Sequence, residues 1–184
     1  LSSKTKMFRL LQGDVGSGKT IVALISALNA IESGCQVALM APTEILAMQH
    51  YKLAKNLFSK KINLEILTSK TDYIKKKDIH REISNKKINM IFGTHSLFQK
   101  KINFSNLGYI IIDEQHKFGV RQRKQLSDKG GDNCDVLLMS ATPIPRTLIM
   151  SIYGDMDISI IKEKPNHRKE IKTYSKLENK LEDV

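Results

Sequence analysis

Gly13-Asp14-Val15-Gly16-Ser17-Gly18-Lys19-Thr20 decides how this chain is read. The octet satisfies G-x-x-x-x-G-K-[ST] between a short strand, Arg9 to Gln12, and a helix, Lys19 to Ser33. Glycines in such a loop let the backbone curl until successive N–H groups converge on phosphate oxygens. The following helix start adds roughly half a positive charge at the same point. Lys19 brings a full charge to the β- and γ-phosphates, and the Thr20 hydroxyl is a Mg²⁺ ligand. Gly13, Asp14, Gly16, Ser17, Gly18, Lys19 and Thr20 are therefore the candidate nucleotide-binding set. A chance match in a chain of this composition has a probability of roughly 0.01, and the strand–loop–helix setting lowers it further.

Strand and helix patterns alternate outward from that loop. Strands are expected at Gln36 to Ala41, Ile62 to Thr68, Ile88 to Gly93, Leu107 to Asp113 and Asp135 to Ser140. Helices are expected at Glu44 to Phe58 and Asp72 to Ser84, with Gly34 stopping the first helix and Thr43 capping the second. Pro143 and Pro145 open a further short helix to about Ser151. The alternation predicts an α/β fold, a mainly parallel sheet with helices on both faces. Such a sheet binds its ligand at the carboxyl ends of its strands, where the motifs fall.

The apolar run Tyr109-Ile110-Ile111-Ile112 ends abruptly in Asp113-Glu114. Beside a phosphate loop, a carboxylate delivered by a buried strand holds the nucleotide's metal, so Thr20 and Asp113 are the metal candidates. Glu114 is placed to orient and deprotonate an attacking water. Gln115 and His116 follow, and a His there can report the γ-phosphate state to other elements. Lys19, Asp113, Glu114 and His116 form the catalytic set.

At 184 residues, with 41% hydrophobic and 27% charged, the chain can bury a core without disulfide or metal staples. The apolar runs are strand-sized and the first residues lack a secretory layout, so a cytoplasmic chain is expected. A formal charge of +11 favours a polyanionic partner, or reflects a Lys-rich composition on solvated faces. Cys35 and Cys134 stand far apart and the five His show no ligand spacing, which argues against a Cys/His metal centre.

Beyond the phosphate loop, Ala41-Pro42-Thr43-Glu44, Gly93-Thr94-His95, Asp113-Glu114-Gln115-His116 and Ser140-Ala141-Thr142 occur in the order of superfamily 2 helicases. The stretches Arg9 to Thr20, Ala41 to Ala47, Asp113 to Val120 and Ala141 to Leu148 resemble the RecG family of ATP-dependent DNA helicases. The transcription-repair coupling translocases share the loop and the Ala141 to Thr147 stretch. They tend, however, to carry D-E-E-H and V-P-T-T in place of Asp113 to His116 and Ala41 to Glu44.

The RecG resemblance implies a RecA-like lobe over residues 1–165, the first of two. Residues 166–184 then form a linker and the start of a second lobe. It implies ATP and Mg²⁺ as cofactors and branched or forked DNA as partner, gripped through its phosphate backbone. Pro42, Thr43, Thr68, Thr94 and His95 are the implied DNA contacts, with helix capping an alternative role for Thr43. Gln115, Ser140, Ala141, Thr142 and Arg146 are the implied coupling residues, Arg146 toward DNA, the partner lobe or a carboxylate. The family's wedge domain and adenine-recognising glutamine motif find no counterpart before Leu1, and the pattern stops mid-element at Val184. The chain thus reads as one lobe of a longer motor, slow in hydrolysis by itself. The competing readings are a remnant that binds nucleotide or DNA without chemistry and, less compatible with the motifs, a small-molecule P-loop kinase.

Overall fold

The computed structural model describes residues 6–98, 102–114, 134–142 and 156–163. Its elements run β1 (Phe8–Gly13), α1 (Lys19–Glu32), β2 (Gln36–Met40), α2 (Glu44–Leu57), β3 (Leu64–Leu67), α3 (Tyr73–Ser84) and β4 (Met90–Gly93). A single 3₁₀ turn (His95–Phe98) precedes β5 (Leu107–Ile112), β6 (Asp135–Ser140) and β7 (Asp157–Ile161). The strands form one seven-stranded sheet in the order β3-β4-β2-β5-β6-β1-β7, and every pairing is parallel.

Local chemistry explains the elements. β2 is buried at all five positions, the continuous apolar run that a strand covered on both faces requires. Alternate residues divide between two cores. Ala38, Met40, Ile110, Ile112 and Leu138 face α3 through Ile79 and Ile83. Val37, Leu39, Ile111, Leu137 and Met139 face α1 through Ala23, Leu24 and Ala27, and α2 through Ala54. Small residues on the inner side of α1 let it lie close to the sheet. Each fully buried Leu or Ile contributes about 1.5–3 kcal/mol of transfer free energy.

The expected boundaries hold to within one or two residues. Gly34 ends α1 with φ +82°, and the N–H groups of Gly34 and Cys35 close on the carbonyls of Ile31 and Ala30. Thr43 caps α2 by accepting from Leu46 N at 3.3 Å. β7 was not expected from the sequence. It is an edge strand held to β1 by its ladder and by Arg9, which donates to Ser159 Oγ at 2.7 Å and to Asp157 Oδ2 at 2.9 Å. The expected helix after Pro143, the segment 166–184, and the residues Gln115, His116 and Arg146 lie outside the described residues.

Candidate nucleotide-binding site

Parallel pairing in this order carries every motif to one end of the sheet. The phosphate loop follows β1, Ala41 to Glu44 follows β2, Thr68 follows β3, Thr94 follows β4, Asp113 follows β5, and Ala141 with Thr142 follows β6. Ile112, Leu138 and Leu10 are in register across β5, β6 and β1, so Asp113 leaves the sheet two strands from the loop.

Within the loop, Gly16 and Gly18 hold φ of +81° and +89°, a region that a side chain enters only at a cost. Ser17 N donates to Asp14 O at 3.1 Å, tightening the turn. Lys19 Nζ folds over it, donating to the carbonyls of Gly13 at 2.7 Å and Asp14 at 2.9 Å. α1 begins at Gly18 with no side-chain cap, unlike α2 with Thr43 and α3 with Asp72. Its first N–H groups therefore face the loop without a side-chain acceptor. Ser17 Oγ is buried with no hydrogen-bond partner among the described residues. A hidden hydroxyl, an uncapped helix start and a cation resting on loop carbonyls fit a polyphosphate well. Thr20 occupies the first turn of α1, half-buried.

Asp113 is 8% exposed, and its backbone N–H continues the ladder to Met40 O at 2.9 Å. Its Oδ1 accepts from Glu114 N at 3.0 Å, while Oδ2 meets His50 Nε2 at 2.7 Å. Glu114 sits at φ +48°, a left-handed conformation unusual for a non-glycine residue and costing about 1–2 kcal/mol. A hard carboxylate oxygen beside a threonine-bearing phosphate loop is a donor set suited to a small divalent cation.

Two contributors escaped sequence reading. His50 lies on the buried stripe of α2 with Ala47 and Ala54. A histidine on an otherwise alanine-lined face was the available signal. Gln12, the residue before the loop, donates from Nε2 to Thr142 O at 3.0 Å, tying the start of the loop to the turn after β6. That turn is closed by Ser140 Oγ, which accepts from Thr142 N at 3.2 Å. Ser140 is fully buried, Ala141 half-buried and Thr142 exposed.

The expected DNA-contact residues share the same end of the sheet. Thr43 is exposed, Pro42 and Thr94 are half-buried, and His95 opens the 3₁₀ turn. Thr68 is 9% exposed with its N–H donating to Thr71 Oγ1, so Ser69 and Lys70 are the exposed members of its segment. Glu44 joins two of these segments by accepting from both the N–H and the hydroxyl of Ser69. That hydroxyl donation, more than nearby Lys70, holds the Glu44 carboxyl below the usual carboxylate range.

Fold and loop together define a RecA-like helicase lobe. A family model described as DEAD/DEAH box helicase matches residues 2–150, and the chain belongs to that family. Within it the chain is RecG-like. It is 53% identical over its whole length to the ATP-dependent DNA helicase RecG of Aquifex aeolicus, spanning 24% of that protein. It is 50% identical over 95% of its length to RecG of Bacillus subtilis, spanning 26% of it. A solved structure of RecG bound to a three-way DNA junction superposes with TM-score 0.76 and 45% identity, over 92% of this chain and 22% of that one. The helicase domain of Pyrococcus furiosus Hef shares the fold alone, with TM-score 0.65 at 22% identity, covering 88% of this chain and 37% of that one. The chain thus spans about a quarter of the length of the RecG relatives it matches.

Proposed function

We propose that this chain is the ATP-binding motor lobe, over residues 1–165, of a RecG-like helicase that remodels branched DNA in the bacterial cytoplasm. The observation that carries this reading is the gathering of the phosphate loop and Asp113-Glu114 at one end of a lobe whose sequence is RecG-like throughout. Lys19 exchanges its two carbonyl partners for β/γ-phosphate oxygens, and the N–H groups of the loop and of the first turn of α1 converge on the same anion. Ser17 supplies a hydroxyl that has no partner among the described residues. Thr20 and Asp113 would hold Mg²⁺, which when bound neutralises charge on the phosphate oxygens. Glu114 orients and deprotonates the attacking water.

His116 and Gln115 report the γ-phosphate state outward. Ser140, Ala141 and Thr142 carry the change toward a second lobe, tied to the loop by Gln12, with Arg146 beyond them. Pro42, Thr43, Thr94 and His95 grip the DNA backbone without reading bases, and the segment of the buried Thr68 reaches it through the exposed Ser69 and Lys70. A second RecA-like lobe, beginning in 166–184, contributes an arginine finger, and a wedge domain splits the junction. A finger of that kind accounts for three to five orders of magnitude, roughly, in phosphoryl transfer. The isolated lobe therefore binds ATP-Mg²⁺ and turns over very slowly.

The test is steady-state ATP hydrolysis with and without forked DNA, for this chain alone and for the chain extended through a second lobe. DNA-stimulated hydrolysis by the extended form alone is the expected result. Silence in both forms sinks the motor reading in favour of a remnant that binds without chemistry.

A further inference from the structure

Asp113 is held from two directions. Its own strand end fixes one oxygen through Glu114 N, and a helix 63 residues away in sequence fixes the other through His50. An ionised carboxylate offers only acceptors, so His50 Nε2 is the donor in this contact. Both side chains are about nine-tenths buried, at 9% and 11% exposure, where a hydrogen bond is little weakened by competing water. His50 reaches this place because it follows Ala47 by three residues on the inner face of α2, whose alanines let the helix approach the sheet. With both oxygens engaged, the carboxylate plane of Asp113 cannot rotate freely. Its remaining lone pairs point in one fixed set of directions.

We infer that His50 is a positioning residue for Asp113, setting the carboxylate in the orientation that receives the divalent cation of bound nucleotide. The inference rests on the metal role given to Asp113 above. Groups that orient metal-binding residues change metal affinity by about 10–100-fold when removed. An imidazole placed only for packing would leave that affinity alone and show its loss in stability.

The experiment is titration of this chain with a fluorescent ATP analogue, in Mg²⁺ and in EDTA, beside a thermal melt. The Mg²⁺-dependent gain in affinity is the quantity read. His50→Leu is expected to cut that gain by about ten-fold with the EDTA affinity unchanged, and His50→Gln to restore it through its terminal N–H. An unaltered gain in His50→Leu, with only a lower melting temperature, makes the contact structural and overturns the proposal. If His50→Leu does not fold, His50→Gln and His50→Asn carry the test, since only the longer amide places its N–H where Nε2 stands. Equal gains in those two overturn it as well. Asp113→Asn separates the underlying reading. If it keeps the gain, the metal site itself is misplaced, whereas loss there with retention in His50→Leu rejects only the positioning role.

Discussion

The two ends of this sheet are finished differently. At the amino end, polar groups close on one another. Gln36, 2% exposed, donates to the carbonyls of Ile83 and Ile88 and accepts from the N–H groups of Ser105 and Asn106. Asn63 and Asn89 bond reciprocally beside it, and Met7 N is held by Asp135 Oδ1 at 2.7 Å. At the carboxyl end, Ser17 Oγ has no partner among the described residues, α1 has no side-chain cap, Lys19 rests on the loop's carbonyls, and Glu114 is left-handed. The amino end supplies rigidity by satisfying itself, while at the carboxyl end bonds such as His50–Asp113 and Gln12–Thr142 frame a phosphate loop whose donors stay available for an anion. Stability and chemistry are thus separated along the strand axis of a single sheet.

Substitutions can break that separation or sharpen it. The largest expected effect is on chemistry. In the two-lobe form, Glu114→Gln lowers the hydrolysis rate by about 10²–10⁴-fold while nucleotide affinity and melting temperature stay near the parent's, as single-turnover assays and melts will read. At the closed end, Gln36→Leu takes the acceptor from two N–H groups and a donor from the Ile88 carbonyl, while the Ile83 carbonyl keeps Lys86 N, and costs about 2–4 kcal/mol in urea unfolding. Its folded fraction is expected to bind nucleotide normally, and weakened binding there would show that the two ends are mechanically joined. Lys19→Ala has the opposite profile. It removes charge-assisted bonds worth about 1.5–3 kcal/mol to bound nucleotide, with little change in unfolding midpoint.

The alkaline limb probes the closed half through two buried groups. Burial pushes Tyr109, whose hydroxyl lies 2.9 Å from Ser26 Oγ, up to about 12 from 10.0. Burial likewise pushes Cys134 up to about 12 from 9.0. Both are neutral when protonated, so the native state keeps protons that the unfolded chain releases. Their stabilisation is complete below the unfolded values and is lost as pH rises from about 9 through about 12. Urea midpoints should fall across that window, and Tyr109→Phe with Cys134→Ala should flatten the fall. The smallest effect belongs to Thr43→Ala, which removes the cap of α2 for about 1 kcal/mol. Loss of DNA affinity beyond that stability change, in a salt titration, would separate grip from capping.

How much of this was legible in the sequence depended on how far each residue's partner lay. The phosphate loop, Asp113-Glu114, the Gly34 stop and the Thr43 cap were readable because each is fixed by chemistry within a few residues of itself. β7 was not, since its pattern of five residues gains meaning only beside β1, and Arg9 meets Ser159 across 150 positions. Gln12 and His50 escaped for the same reason, their partners lying 130 and 63 residues away. Thr68 was readable as the end of a strand and a candidate DNA contact, while its burial and its bond to Thr71 required the fold.

The strand order also dictates a timetable. Among the described residues, β1 has only β6 and β7 as sheet neighbours. Of this lobe's described strands, β1 is the earliest in the chain, and it must therefore wait for Asp135, 128 residues behind Met7, before it can be paired. At synthesis rates of roughly 5–20 residues per second, that wait is on the order of ten seconds. Throughout it Leu10 and Leu11, which end at 0% and 4% exposure, have no sheet to enter. Within this lobe, the segment that will cradle the phosphates is made before both strands it pairs with, and so it is locked late.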